Sequence, residues 1–247
     1  MSEKTFKILI TGGARGLGRK IAEYLYKQGH EIFILDKSDQ TEIDPLLAAI
    51  LTGYIQCDLS NIEESLACLR KNISDIGRVD ILINNASGKK FKELEYFAVN
   101  EIMENINIEF TAPLILSNLC LDVMKKNNFG RIINISSISA YRVHRRGTIY
   151  CSCKQAINVF GECLAKELDL LQGTITVNTI CPDSFSKLDG TLEKDYHLIT
   201  NTVLTNINLI IRSHVNGKVF NVFTFKHRLR ESLRILKMAV QMVITWS

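Results

Sequence analysis

The chain has 247 residues, 46% hydrophobic and 23% charged, and its 30 Lys and Arg against 26 Asp and Glu give a formal net charge of +4. That length supports one sizeable hydrophobic core, and the composition excludes an intrinsically disordered chain. So mild a positive charge lacks the concentrated basic character of a nucleic-acid binder, and no nucleic-acid partner is expected.

The N-terminal stretch "MSEKTFKILITGG" holds an apolar run too short for a signal-peptide core. No stretch reaches the ~18 consecutive apolar residues of a membrane helix, so the chain is expected to be cytoplasmic. Seven cysteines, at 57, 68, 120, 151, 153, 163 and 181, are scattered and odd in number. They read as reduced, buried thiols rather than a disulfide framework.

Seven short apolar runs recur in chain order with helical stretches between them: 6–11, 31–36, 53–58, 79–85, 130–137, 174–180 and 217–223. Near-continuous hydrophobicity predicts strands covered on both faces. Strands alternating with helices predict a Rossmann-type doubly wound parallel α/β sheet of about seven strands, with helices on both faces, as a single domain over residues 1–225. Such a sheet binds its ligand beyond the carboxyl ends of the strands.

The first run passes into "TGGARGLG", residues 11–18, and a helical pattern starts at once. Gly12, Gly16 and Gly18 let the chain turn tightly and bring backbone N–H groups to a pyrophosphate at a helix N-terminus, where the dipole favours anions. Asp36 closes the second run, where a carboxylate binds the adenosine ribose and repels a 2′-phosphate, which favours NAD over NADP. Arg15 and Lys37 oppose that preference, because a cation there would welcome the phosphate. Asp58 and Leu59, after the third run, fall where the adenine would rest.

With "TGGARGLG", "CDLS" (57–60), "NNAS" (84–87), "ENINIEF" (104–110), "GRIINISS" (130–137), "YCSCK" (150–154) and "ITVNTICP" (175–182), the chain resembles the short-chain dehydrogenase/reductase family in order and spacing. The resemblance implies hydride exchange between a nicotinamide dinucleotide and a carbonyl or secondary alcohol. It also implies a catalytic tetrad at Asn107, Ser137, Tyr150 and Lys154. Leu17, Asn85, Ala86 and Pro182 join the glycines, Arg15, Asp36, Asp58 and Leu59 as implied cofactor contacts, and a homodimer or homotetramer is implied as the assembly.

The chemistry of those positions is coherent without the family. Tyr150 and Lys154 stand four apart and share one helix face, so the ammonium favours the phenolate and brings a phenol of pKa about 10 towards use as a general acid/base. Ser137 would hold the substrate oxygen, Lys154 the nicotinamide ribose, and Asn107 a relay water. Cys151 and Cys153 lack a second cysteine or histidine cluster, so they read as packing residues and no metal is expected.

Departures from the family pattern stand at Ser87, where a glycine is usual and Gly88 follows, and at Asp183, where glycine usually follows the proline. The usual threonine just beyond is missing, with Ser184 and Ser186 as substitutes. A short substrate lid is expected near 183–195, leaving an open site suited to a large or carrier-linked substrate. Arg142, Arg145 and Arg146 border the entrance, as a grip on an anionic substrate or as a solvated or subunit salt-bridge surface.

Residues 226–247 read as a basic amphipathic helix, with Leu229, Leu233, Leu236, Val240 and Val243 at helical spacing. Packing on its own domain is favoured over a subunit contact or a peripheral membrane contact. Two functions are therefore expected in order: an NAD(P)-dependent oxidoreductase first, and a non-catalytic dinucleotide-binding scaffold acting through this helix second.

Overall fold

The computed structural model describes residues 4–88, 90–169, 174–183 and 193–223. Most of the expected lid and all of the expected C-terminal helix lie outside the described residues, as do Ser184 and Ser186.

All seven expected strands form: β1 (Lys7–Thr11), β2 (Glu31–Asp36), β3 (Gly53–Gln56), β4 (Ile81–Asn84), β5 (Gly130–Ile135), β6 (Ile175–Pro182) and β7 (Val219–Val222). They make one parallel sheet in the order β3-β2-β1-β4-β5-β6-β7. The order reverses between β1 and β4, and the crevice at their carboxyl ends is where a doubly wound sheet takes its ligand.

The helices are α1 (Gly16–Lys27), α2 (Pro45–Ala48), α3 (Ile62–Ile76), α4 (Val99–Ile106), α5 (Ala112–Lys126), α6 (Thr148–Asp169) and α7 (Glu193–Arg212). Successive strand residues point to opposite faces, and both faces are covered. Ile8 and Ile10 of β1 pack with Ile21 and Leu25 of α1 and with Ile199, Val203 and Ile207 of α7. Leu9 packs on the other side with Leu69 of α3, Leu116 and Cys120 of α5, and Leu164 of α6. The unbroken apolar runs of the sequence follow from this double burial.

A π-helical turn, Asn107–Thr111, joins α4 to α5. Together they run as one helix, Val99–Lys126, which by length and composition alone passes as a membrane span, contrary to the expectation from the sequence. Its stripe of Ala112, Leu116, Cys120 and Met124 is buried in the core of this domain.

Candidate active site

Thr11, at the end of β1, organises the glycine turn. Its hydroxyl accepts from the backbone N–H groups of Asn85 and Ala86, both at 2.9 Å, joining β1 to the end of β4. The Asn85 side chain donates to the carbonyls of Thr11 (2.9 Å) and Gly12 (3.0 Å). Gly12 has a φ of +63°, and a Cβ there would come within 2.8 Å of the Ala86 Cα. At Gly18 a Cβ would stand 2.2 Å from the Gly12 carbonyl oxygen. These two glycines and Asn85 thus shape the turn from within. Gly16 differs, with a φ of +57° and nothing within 4 Å of the place a Cβ would take.

No side chain caps the N-terminus of α1 at Arg15, and its first turn holds no acidic residue. By contrast, Asn61 caps α3 and Asp44 caps α2 through their own side chains. An uncapped helix N-terminus behind an open glycine position fits the pyrophosphate of a dinucleotide. Leu17 turns its side chain into the core, which leaves its backbone for that role.

The Asp36 carboxylate lies at the tip of β2 against the same turn. It accepts from Ala14 N (3.1 Å) on one oxygen and from Ser38 N (3.1 Å) and Ser38 Oγ (3.0 Å) on the other. These donors fix its direction beside the glycine turn, where a ribose would lie. Arg15 and Lys37 are exposed. After β3, Asp58 is exposed while Leu59 is buried. Pro182 closes β6 beside Val222 of β7, and the next residue, Asp183, is 2% exposed with its N–H donating to Val222 O (2.8 Å).

Beyond the end of β5 the polar cluster begins. Ser137 caps a 3-10 turn, its hydroxyl accepting from Ser139 N at 3.2 Å. Tyr150 and Lys154 share one face of α6, with the ammonium 5.6 Å from the phenol ring centre. Lys154 is 4% exposed, and its Nζ donates to the Ile135 carbonyl at 2.9 Å. Its counter-ion is Glu109, 1% exposed, with Oε2 3.0 Å from Nζ. The other Glu109 oxygen accepts from Ser87 Oγ (2.6 Å) and Gly88 N (2.9 Å).

Asn107 is placed elsewhere: its side-chain amide donates to Ser60 O at 2.8 Å, in the loop after β3. The side chain that the π turn brings to Lys154 is Glu109. Sequence reasoning passed over it, although it lies on the same buried stripe as Ala112 and Leu116, where an acid demands a partner. Phe91 was missed as well. Its ring meets Tyr150 edge-on at 5.5 Å, with His144 on Phe91 at 5.2 Å, so an aromatic wall stands over the phenol.

The arginines do not converge on this cluster. Arg145 (3.0 Å) and Arg146 (3.1 Å) both pair with Glu93, and Arg142 lies over the Phe223 ring at 5.5 Å. Cys151 and Cys153 are buried, and burial pushes the Cys153 thiol up to about 11, which keeps it an inert thiol.

Burial pushes the Tyr150 phenol up. Lys154 pulls it down, Glu109 pushes it up again, Ser137 pulls it down by a hydrogen bond, and it ends above its ordinary value. The sequence weighed the lysine alone and expected the opposite direction. For Lys154, burial favours losing the proton, but Glu109 and then Tyr150 outweigh burial and hold the ammonium above the ordinary lysine value.

A phenol beside a fixed ammonium and a serine hydroxyl, at the end of a sheet whose first turn fits a dinucleotide, is an arrangement for moving a proton during hydride transfer. A family model described as short chain dehydrogenase matches residues 7–191. The 15-hydroxyprostaglandin dehydrogenase (NAD+) of Rattus norvegicus is 27% identical over 249 residues, spanning 88% of this chain and 91% of that protein. The 3-oxoacyl-(acyl-carrier-protein) reductase FabG of Haemophilus influenzae is 33% identical over 177 residues, spanning 70% and 72%. A crystal structure of a short chain dehydrogenase from Burkholderia cenocepacia J2315 in complex with NADP shares the fold, with a TM-score of 0.74 at 21% identity over 88% of this chain and 96% of that one. The chain therefore belongs to the short-chain dehydrogenase family, the NAD(P)-dependent oxidoreductases of hydroxyl and carbonyl groups.

Proposed function

We propose that this oxidoreductase interconverts a secondary alcohol and a ketone carried on a largely apolar chain, that it prefers NAD to NADP, and that Tyr150 moves the proton. The observation that carries the reading is the buried Tyr150–Lys154 pair beyond the end of β5, beside Ser137.

The nicotinamide, when bound, supplies or accepts the hydride. The protein's own part is to hold and protonate. The N–H groups of α1 and the open position at Gly16 would hold the pyrophosphate, Asp36 the adenosine ribose, and Lys154 the nicotinamide ribose. The Ser137 hydroxyl would hold the substrate oxygen beside the Tyr150 phenol, which gives up its proton in reduction and regains it in oxidation. The preference for NAD rests on Asp36, whose direction three hydrogen bonds fix beside the glycine turn. A 2′-phosphate there would meet a carboxylate at close range.

The apolar substrate is supported by the wall over Tyr150. Phe91, whose ring stands edge-on to Tyr150, is 46% exposed and presents an apolar face to solvent beside the polar cluster. Two of the relatives are named for a 15-hydroxyprostaglandin and a 3-oxoacyl carrier protein. Arg145 and Arg146 already have Glu93 as an anion, so a charged substrate group would have to displace it.

The test is a fluorescence titration with NADH and NADPH, followed by rates on long-chain and short-chain secondary alcohols and ketones. NADH should bind at least tenfold more tightly than NADPH, with Asp36→Ala closing most of that gap. Tyr150→Phe should retain cofactor binding and lose more than a hundredfold in turnover. Full turnover in Tyr150→Phe would end the assignment of the proton to this phenol.

A further inference from the structure

Two features of the sequence look unrelated: a serine at 87 where the family carries glycine, and a glutamate at 109 on the buried stripe of a long helix. The structure joins them. Ser87 Oγ and Gly88 N both donate to Glu109 Oε1, at 2.6 and 2.9 Å, while Oε2 lies 3.0 Å from Lys154 Nζ. The side chains of Lys154 and Glu109 are 5% and 0% exposed, so this is an ion pair withdrawn from water. Ile135 O is the second oxygen on the ammonium, accepting from it at 2.9 Å.

A buried carboxylate needs donors on both oxygens and a buried ammonium needs acceptors, or each would give up its charge. Here the two opposite charges, 3.0 Å apart, compensate each other as an ion pair. Ser87 completes the set with a hydroxyl that a glycine could not provide, so the departure at 87 and the glutamate at 109 form one device.

We propose that Glu109 is a positioning residue of this site: its carboxylate fastens Lys154 to the Ser87–Gly88 loop and neutralises the ammonium, so that Tyr150 faces a dipole rather than a free cation and remains a phenol at neutral pH. The inference rests on the reading of Tyr150 as the proton-transfer residue. A unit charge acts over distance more strongly than a compact pair of opposite charges, so the lysine's pull on the phenol is partly cancelled. The site then holds its proton-donating form at neutral pH and favours carbonyl reduction there, whereas alcohol oxidation requires an alkaline medium.

The groups facing Tyr150 agree with this. Lys154 and Cys151 lie on its own helix and Glu109 on the π turn, and Ser137 approaches from β5. Cys181 of β6 acts on Lys154, Cys153 senses both ions, and His144 reaches the phenol only through the Phe91 ring. Apart from Lys154, none of these groups brings a buried cation.

The decisive measurement is 13C NMR of the full chain labelled at tyrosine Cζ, with Tyr150 assigned by Tyr150→Phe, followed from pH 6 to 11 without cofactor or substrate. In Glu109→Gln the Tyr150 midpoint should fall by about one unit, and the pH profile of alcohol oxidation should move towards acid by a similar step. An unchanged or raised midpoint overturns the proposal. Because removing one charge of a buried pair endangers folding, the neutral double variant Glu109→Gln with Lys154→Met is the second arm. There the midpoint should stay within one unit of the wild type. A rise of one unit or more would mean that Lys154 had acted as a free cation, and would also overturn the proposal. Failure of the underlying reading is seen separately, as turnover that survives in Tyr150→Phe.

Discussion

The side-chain amide of Asn107 donates to the carbonyl of Ser60 at 2.8 Å, tying the π turn between α4 and α5 to the loop that follows β3. That loop carries Asp58 and Leu59, the residues expected from the sequence to border an adenine. The Asn107 side chain is therefore engaged with the loop after β3. Asn107→Ala should raise the KM for the dinucleotide severalfold and leave kcat within about twofold, with a stability loss of about 1 kcal/mol for the abandoned carbonyl. Steady-state kinetics with varied cofactor check this. A hundredfold fall in kcat at unchanged cofactor KM would instead return Asn107 to the proton relay that the family resemblance implied.

The two kinds of glycine in the turn should separate folding from binding. Gly18→Ala drives a methyl to 2.2 Å from the Gly12 carbonyl oxygen, a contact with backbone that cannot give, and should yield little folded protein. Gly16→Ala meets nothing within 4 Å and bears only the left-handed backbone at φ +57°, about 1–2 kcal/mol. It should fold, with a lower melting temperature, yet lose at least tenfold in NADH affinity because its methyl enters the space left for the pyrophosphate. Melting curves and NADH titration on the same preparations distinguish the cases. Undiminished affinity in folded Gly16→Ala would place the pyrophosphate elsewhere.

The strands and the glycine turn were legible because each is a local signal: an unbroken apolar run, or glycines between a strand and a helix. Tyr150 and Lys154 were legible because four residues on a regular helix fix a shared face. The partners of Asn107 and Glu109 were not, because the π turn adds a residue to the helical repeat, so helical spacing does not say which neighbouring element each side chain meets. The direction of the Tyr150 shift failed because burial first, and then a carboxylate about forty residues away in sequence, oppose the lysine, and neither is visible in the local pattern. Likewise Arg145 and Arg146 read as a free basic cluster until the fold set Glu93 against them. Pairings of this kind depend on topology, which the local pattern does not contain.

Alkaline stability is the last consequence of this buried chemistry. Tyr150 and Lys154 both have folded values above their ordinary ones of about 10 and 10.4. A raised folded value means that the folded state keeps its proton longer than the unfolded chain. The stability it contributes is thus fully present below the unfolded value and is lost as pH rises through the folded one. Buried thiols add an earlier step of the same sign, since burial pushes Cys120 up to about 12 and Cys181 up to about 11, against about 8.5 for a free thiol. Urea midpoints should therefore hold steady to about pH 8.5, decline gently at first, and fall more steeply above about pH 10. Tyr150→Phe removes one of the groups responsible for the second fall and leaves the first, so its midpoints should run parallel to the wild type up to about pH 10 and decline less steeply beyond. Curves that stayed parallel through pH 11 would mean that the phenol titrates alike in the folded and unfolded chain, and that neither burial nor Glu109 holds its proton in place.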